Sequence, residues 1–143
     1  MQIPVKPLTV NKKFTINKGH RFLIKTNIAR DFEKVIADFL ELHKKDIIKL
    51  MSKFNPKVHA LHFYITIYAP SDVYFTKDGK VSARCIDASN AIKILEDSVY
   101  KFLDVGDHYN TKVTSEKLPH ESKDWITKFE IKIVDKPSLA TLV

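Results

Sequence analysis

Residues 87–97 read Asp-Ala-Ser-Asn-Ala-Ile-Lys-Ile-Leu-Glu-Asp. They set Asp87, Asn90, Lys93 and Asp97 at offsets 0, 3, 6 and 10, and a further aspartate, Asp107, follows ten residues on. Side chains of these types have two uses. Carboxylates are hard oxygen donors for divalent cations, and a lysine beside them offsets negative charge developing on a phosphoryl group. The same residues also make an ordinary capped surface helix. Ser89 is a good N-cap, Asp87 favours the positive end of the helix, and Lys93 and Asp97 can pair at i and i+4. Taken alone, the stretch reads as the ordinary helix.

The elements that must carry these residues follow from the apolar spacing. Ala91, Ile92, Leu95, Val99, Phe102 and Leu103 form one helical stripe from about Ser89 to Leu103. Asn90, Lys93, Glu96, Asp97, Tyr100 and Asp104 form its polar side. Upstream, Leu61, Phe63, Ile65 and Ile67 alternate with His62, Tyr64, Thr66 and Tyr68, which predicts a half-buried strand. Residues 73–85 predict a hairpin turning at Asp78–Gly79. No Gly or Pro interrupts residues 26–53, where apolar residues recur every three or four positions. That is a long helix broken near His43, with Thr26 or Asn27 as N-cap, and stopped by Phe54-Asn55-Pro56-Lys57.

A hairpin is expected around Asn17-Lys18-Gly19, with Phe14 and Ile16 before it and Phe22 and Ile24 after it. Pro4 and Pro7 would confine the lead to an edge or a loop. Residues 111–117 and 125–134 predict two more strands, and Ile126, out of step with Phe129, Ile131 and Ile133, predicts a bulge or a late start. The expected fold is α+β: one domain over 1–143, a mixed or antiparallel sheet with two main helices on one face, and a loose tail over 135–143.

The charge is unevenly placed. Six of the 24 basic residues (Lys6, Lys12, Lys13, Lys18, Arg21 and Lys25) and none of the 17 acidic ones lie in residues 1–25, so that segment carries +6 of the net +7. Such a concentration attracts polyanions through counterion release; it also suits a plain solvated arm. Lys12, Lys13, Lys18 and Arg21 are the expected phosphate contacts, with Arg84, close before Asp87, holding a flanking phosphate.

Other chemistry is excluded or weak. One cysteine, Cys85, excludes an internal disulfide and a Cys-built zinc site. Three glycines leave no Gly-rich phosphate loop. His59 and His62 are three apart on a strand and face opposite ways, and His120 sits in a polar loop. His108, beside Asp107, is the one histidine near the acidic residues. Tyr64 and Tyr68 share a strand face on which bases could stack, although strand tyrosines also serve packing. No apolar run has the length of a membrane span, and the N-terminus lacks the unbroken apolar core of a secretory signal, so a cytoplasmic protein is expected.

The acidic stretch resembles the signature of RusA-like Holliday junction resolvases, Asp-x-Asp-Asn-x-x-Lys-x-x-x-Asp followed about ten residues later by Asp. Here the pattern stands as Asp87, Ser89, Asn90, Lys93, Asp97 and Asp107, and the lead Ile-Pro-Val-Lys-Pro is similar to that family's opening run. The resemblance covers roughly residues 2–134. It implies a small homodimeric, Mg²⁺-dependent endonuclease, with Mn²⁺ a possible substitute, that cuts four-way DNA junctions. Many members are carried by phages or prophages. It makes Asp87 and Asp107 metal ligands and assigns Lys93 to phosphate charge or to orienting the attacking water. Ser89 stands where a second carboxylate is usual and is a poorer Mg²⁺ ligand. Some relatives share an Asp-x-Ser-Asn form followed by Glu-Asp, as Glu96–Asp97 here, which leaves Asn90, Glu96 and Asp97 in supporting positions.

A helix from Asn90 to Leu103 rises about 20 Å. Asp87 precedes it and Asp107 follows it, so two antiparallel helices of a dimer are expected to share active sites, Asp107 of one chain meeting Asp87 of the other. The alternatives are a non-cleaving binder of branched DNA that kept the fold, and an unrelated α+β binding module.

Overall fold

The computed structural model describes residues 2–3, 14–16, 23–25, 27–83, 85 and 88–138. In chain order these form β1 (Gln2–Ile3), β2 (Phe14–Ile16), β3 (Leu23–Lys25), α1 (Asn27–Leu42), α2 (Lys44–Met51), β4 (His59–Pro70), α3 (Ser71–Tyr74), α4 (Ala88–Leu103), β5 (Asn110–His120) and β6 (Ile126–Asp135). The architecture is the expected α+β one.

β4 lies at the centre of a mixed four-stranded sheet of order β1-β6-β4-β5, parallel to β5 and antiparallel to β6. A parallel pair cannot be joined by a tight turn. The chain between β4 and β5 therefore crosses over the sheet, and that crossover contains α4. β1 pairs with β6 at the sheet edge, and β2 and β3 form the expected hairpin, pairing Phe14 with Lys25 and Ile16 with Leu23.

The alternation of β4 builds the core. Leu61, Phe63, Ile65 and Ile67 are fully or almost fully buried, while His62, Tyr64, Thr66 and Tyr68 are half-buried on the other face. Phe32, Ile36 and Leu40 of α1, Ile47 of α2 and Ile94, Leu95 and Val99 of α4 join the first set in one cluster. Burying each such side chain contributes roughly 1.5–3 kcal/mol. Cys85 is also buried there.

The helix break falls at His43, as the spacing predicts. His43 leaves helical geometry (φ −106°, ψ 16°), and its N–H bonds Leu40 O, three residues back, at 3.0 Å. α2 ends in a turn, Lys53 N–H to Leu50 O and Phe54 N–H to Met51 O. Asn55 holds the loop that follows: its side-chain oxygen accepts from Lys57 N–H, and its carbonyl accepts from Val58 and His59 N–H. At the far end Lys136 N–H bonds Val58 O, so the tail is held one residue past β6; residues 139–143 lie outside the described residues.

Four local expectations are corrected. Val73 and Tyr74 lie in the one-turn α3, so the hairpin reduces to a single bridge, Phe75 to Val81, around a turn with Gly79 at φ 78°. β6 has neither bulge nor late start. Thr127, only 1% exposed, takes the core position before Phe129 and Ile131, and Ile126 faces the other way. α4 begins at Ala88, which puts Ser89 inside the first turn rather than at the cap. Tyr100, expected on the polar side of α4, is 3% exposed, its ring edge-on to Phe63 at 5.8 Å.

Candidate functional site

The middle of α4 carries the chemistry that the described residues show. Lys93 and Asp97, one turn apart, pair at 3.0 Å (Nζ to Oδ1). The same ammonium lies 3.5 Å from Asp107 Oδ2. Both carboxylates hold Lys93 in its charged form, the hydrogen bond to Asp97 being the strongest influence.

Asp107 reaches the helix because the chain turns back sharply after Leu103. Asp104 adopts the left-handed conformation (φ 53°), and Asp104 N–H and Val105 N–H bond Lys101 O and Tyr100 O, each at 3.4 Å. This is a Schellman-type stop in which aspartate takes the place usual for glycine. Val105 packs against the core, and residues 107–109 form a single 3-10 turn. Tyr109 anchors that turn edge-on to Phe54 at 5.4 Å before β5 begins at Asn110. Asp87, the other half of the expected site shared between chains, lies outside the described residues, but the turn brings Asp107 back along α4. Its carboxylate lies against the Lys93–Asp97 pair of its own chain.

Behind this pair sits a polar group that sequence reasoning missed in part. Burial pushes the Glu96 carboxyl up; Lys93 pulls it down, and Asp107 and Asp97 push it up again. The Asn110 amide adds a small pull toward the anion, yet neither of its polar atoms reaches hydrogen-bond geometry. Tyr100 Oη is likewise buried without a partner, and burial with the Glu96 and Asp107 charges drives its phenol far upward, so it stays protonated. Buried polar groups are seldom left unpaired. Tyr100 also lines, with Asp97, Lys101, Asp104, Val105, Gly106 and Asp107, an open pocket of about 380 Å³. Asn110 carried no motif and had no signal in the sequence.

The remaining site candidates divide clearly. Asp87, Arg84, Lys12, Lys13, Lys18 and Arg21 lie outside the described residues. Ser89 and Asn90 are placed by their backbone in the first turn of α4. The His108 ring stacks on Tyr109, centroids 4.1 Å apart, and covers Gly106. Carboxylate oxygens have the right chemistry for Mg²⁺, and Glu96, Asp97 and Asp107 outnumber the one lysine between them. Among the described residues, however, no group of three His, Cys, Asp or Glu side chains is placed to hold a metal; Asp87 is not one of the described residues. No family model matches the sequence, and no curated protein matches it.

Proposed function

We propose that this chain is a Mg²⁺-dependent, structure-selective endodeoxyribonuclease that resolves four-way or otherwise branched DNA junctions. The observation that supports the reading most is the approach of Asp107 to Lys93. Asp107, past the helix end, meets the Lys93–Asp97 pair of the helix, and both aspartates line the open pocket. In this reading Asp87 and Asp107 hold the metal, with Ser89 beside them as a weak or absent ligand. When bound, Mg²⁺ supplies an activated water and offsets charge on the scissile phosphate. Lys93 places its ammonium at that phosphate, and Asp97 keeps it charged and oriented. Glu96 and Asn110 back the pair from the helix side, and Asn90 supports the N-terminal turn.

Lys12, Lys13, Lys18, Arg21 and Arg84 hold the DNA backbone, in line with the +6 of the first 25 residues. A homodimer would nick paired strands symmetrically. No helix among the described residues is long and apolar enough to cross a membrane; with a single cysteine, this agrees with work in a bacterial or phage-infected cytoplasm.

Ser89 in the usual carboxylate position favours a second reading, a branched-DNA binder that does not cut. One experiment separates the two. A labelled four-way junction and a linear duplex of the same sequence are incubated with protein in Mg²⁺ and in EDTA. Symmetric nicks in the junction alone, abolished by EDTA, are expected. Junction binding without nicks, in Mg²⁺ and in Mn²⁺, selects the binder, and no preference for the junction rejects both.

A further inference from the structure

Among the described residues, the helices cover one face of the sheet and leave the other open. Along that open face β4 presents His62, Tyr64, Thr66 and Tyr68, flanked by Lys112, Thr114 and Glu116 of β5 and by Lys128, Glu130 and Lys132 of β6. All six flanking residues are exposed. The aromatic rings are grouped rather than scattered. His62 and Tyr64 lie 6.3 Å apart between centroids, with Tyr64 Oη 3.4 Å from His62 Nδ1, and Tyr68 lies 6.0 Å from His120. Lysines from both neighbouring strands lie over the Tyr64 ring: Lys132 Nζ at 5.1 Å and Lys112 Nζ at 5.8 Å from its centroid.

We propose that this open sheet face binds single-stranded nucleic acid, with bases stacked on Tyr64 and Tyr68 and phosphates met by Lys112, Lys132 and Lys128. Single strands are held by two features together, ring faces that any base can stack on and a cationic track for the backbone. Both occur here at matched positions. His62 stands between Lys112 and Lys132 in the register, and Tyr64 follows two residues on, on the same face. From His62 to Tyr68 the strand advances about 20 Å, room for a few nucleotides. Both lysines that cover Tyr64 are exposed, so a base arriving on the ring can displace them toward its own phosphates. Glu116 and Glu130 share the face, so lysines exceed carboxylates by three to two, and the His62–Tyr64 end is the more cationic. An unpaired strand beside a junction would suit this platform, yet the inference needs neither the metal nor cleavage.

The test measures fluorescence anisotropy of an end-labelled oligothymidylate with the full chain, in EDTA and at several salt concentrations, so that failure of the nuclease reading leaves the result untouched. Salt-dependent binding is expected. Tyr64→Ala and Tyr68→Ala should each weaken it by about tenfold, and Tyr64→Phe should keep most of it. Lys112→Gln with Lys132→Gln, both at exposed positions and so without risk to the fold, should weaken binding and flatten its salt dependence. Absence of binding overturns the proposal. So does equal binding by wild type and the Tyr64→Ala, Tyr68→Ala and lysine variants, which would assign the affinity to the N-terminal basic segment. A stable dimer in sedimentation that Tyr64→Ala dissociates would overturn it too, because a second copy would then occupy the face.

Discussion

Asp107 Oδ2 stands 3.5 Å from Lys93 Nζ, while Asp97 Oδ1, one turn along the same helix, holds that ammonium at 3.0 Å. The lysine is thus fixed by two carboxylates from different elements, with its side chain still 54% exposed. A group held this way can meet a phosphate without being buried. Lys93→Met should lower junction cleavage by about 10²–10³-fold, the usual cost of removing one charge-stabilising donor. Exposed ion pairs contribute only about 0–1 kcal/mol, so thermal unfolding of this variant should stay close to wild type. A large loss of stability would instead make the pair structural.

Glu96 gives the fold a pH dependence of definite sign. Burial, with Asp107 and Asp97 nearby, raises its carboxyl above the ordinary value, so the folded state holds that proton more tightly than the unfolded one. Its favourable contribution is complete below the unfolded carboxylate range and is lost as pH rises through the folded value. Glu96→Gln removes the ionisation while keeping the shape. The melting temperature of the variant should exceed that of wild type at neutral pH and converge with it near about pH 4. Equal melting temperatures at neutral pH would show that ionising Glu96 costs the fold nothing.

Asp104 is the described non-glycine residue with positive φ, at 53°, and it makes the turn that returns Asp107 to the helix. Left-handed geometry costs an ordinary residue about 1–2 kcal/mol, less for aspartate, and glycine escapes the cost while adding entropy to the unfolded chain. Asp104→Gly should therefore stabilise the protein by about 0.5–1 kcal/mol in denaturant unfolding. Asp104→Val should destabilise it and also reduce cleavage, because the turn and the position of Asp107 move together.

The sequence made the helices and strands readable where apolar periodicity was unbroken. The interruption at His43, the β4 alternation and the α4 span all followed from it. It misled where a residue's type and its place disagree. Thr127 is polar yet occupies a core position of β6, so Ile126 looked like the one out of register. Tyr100 carries a hydroxyl and looked solvent-facing, but its ring packs on Phe63 and takes the whole side chain inward. The return of Asp107 was hidden for a related reason. Glycine usually marks a left-handed stop, and here the stop is Asp104, two residues before the glycine that is present, Gly106. The Lys93–Asp97 pair, set by helix spacing alone, was readable; the third partner needed the turn.

The most direct measurement compares wild type with Asp107→Asn on a labelled four-way junction in Mg²⁺, following cleavage and binding in the same samples. Asparagine keeps the size of the side chain and removes the charge that meets Lys93. Cleavage should fall at least about 100-fold while junction affinity stays within a few fold and the fold stays intact. Cleavage by Asp107→Asn at the wild-type rate would contradict the account, and would mean that the contact between Lys93 and Asp107 serves only to close the helix end.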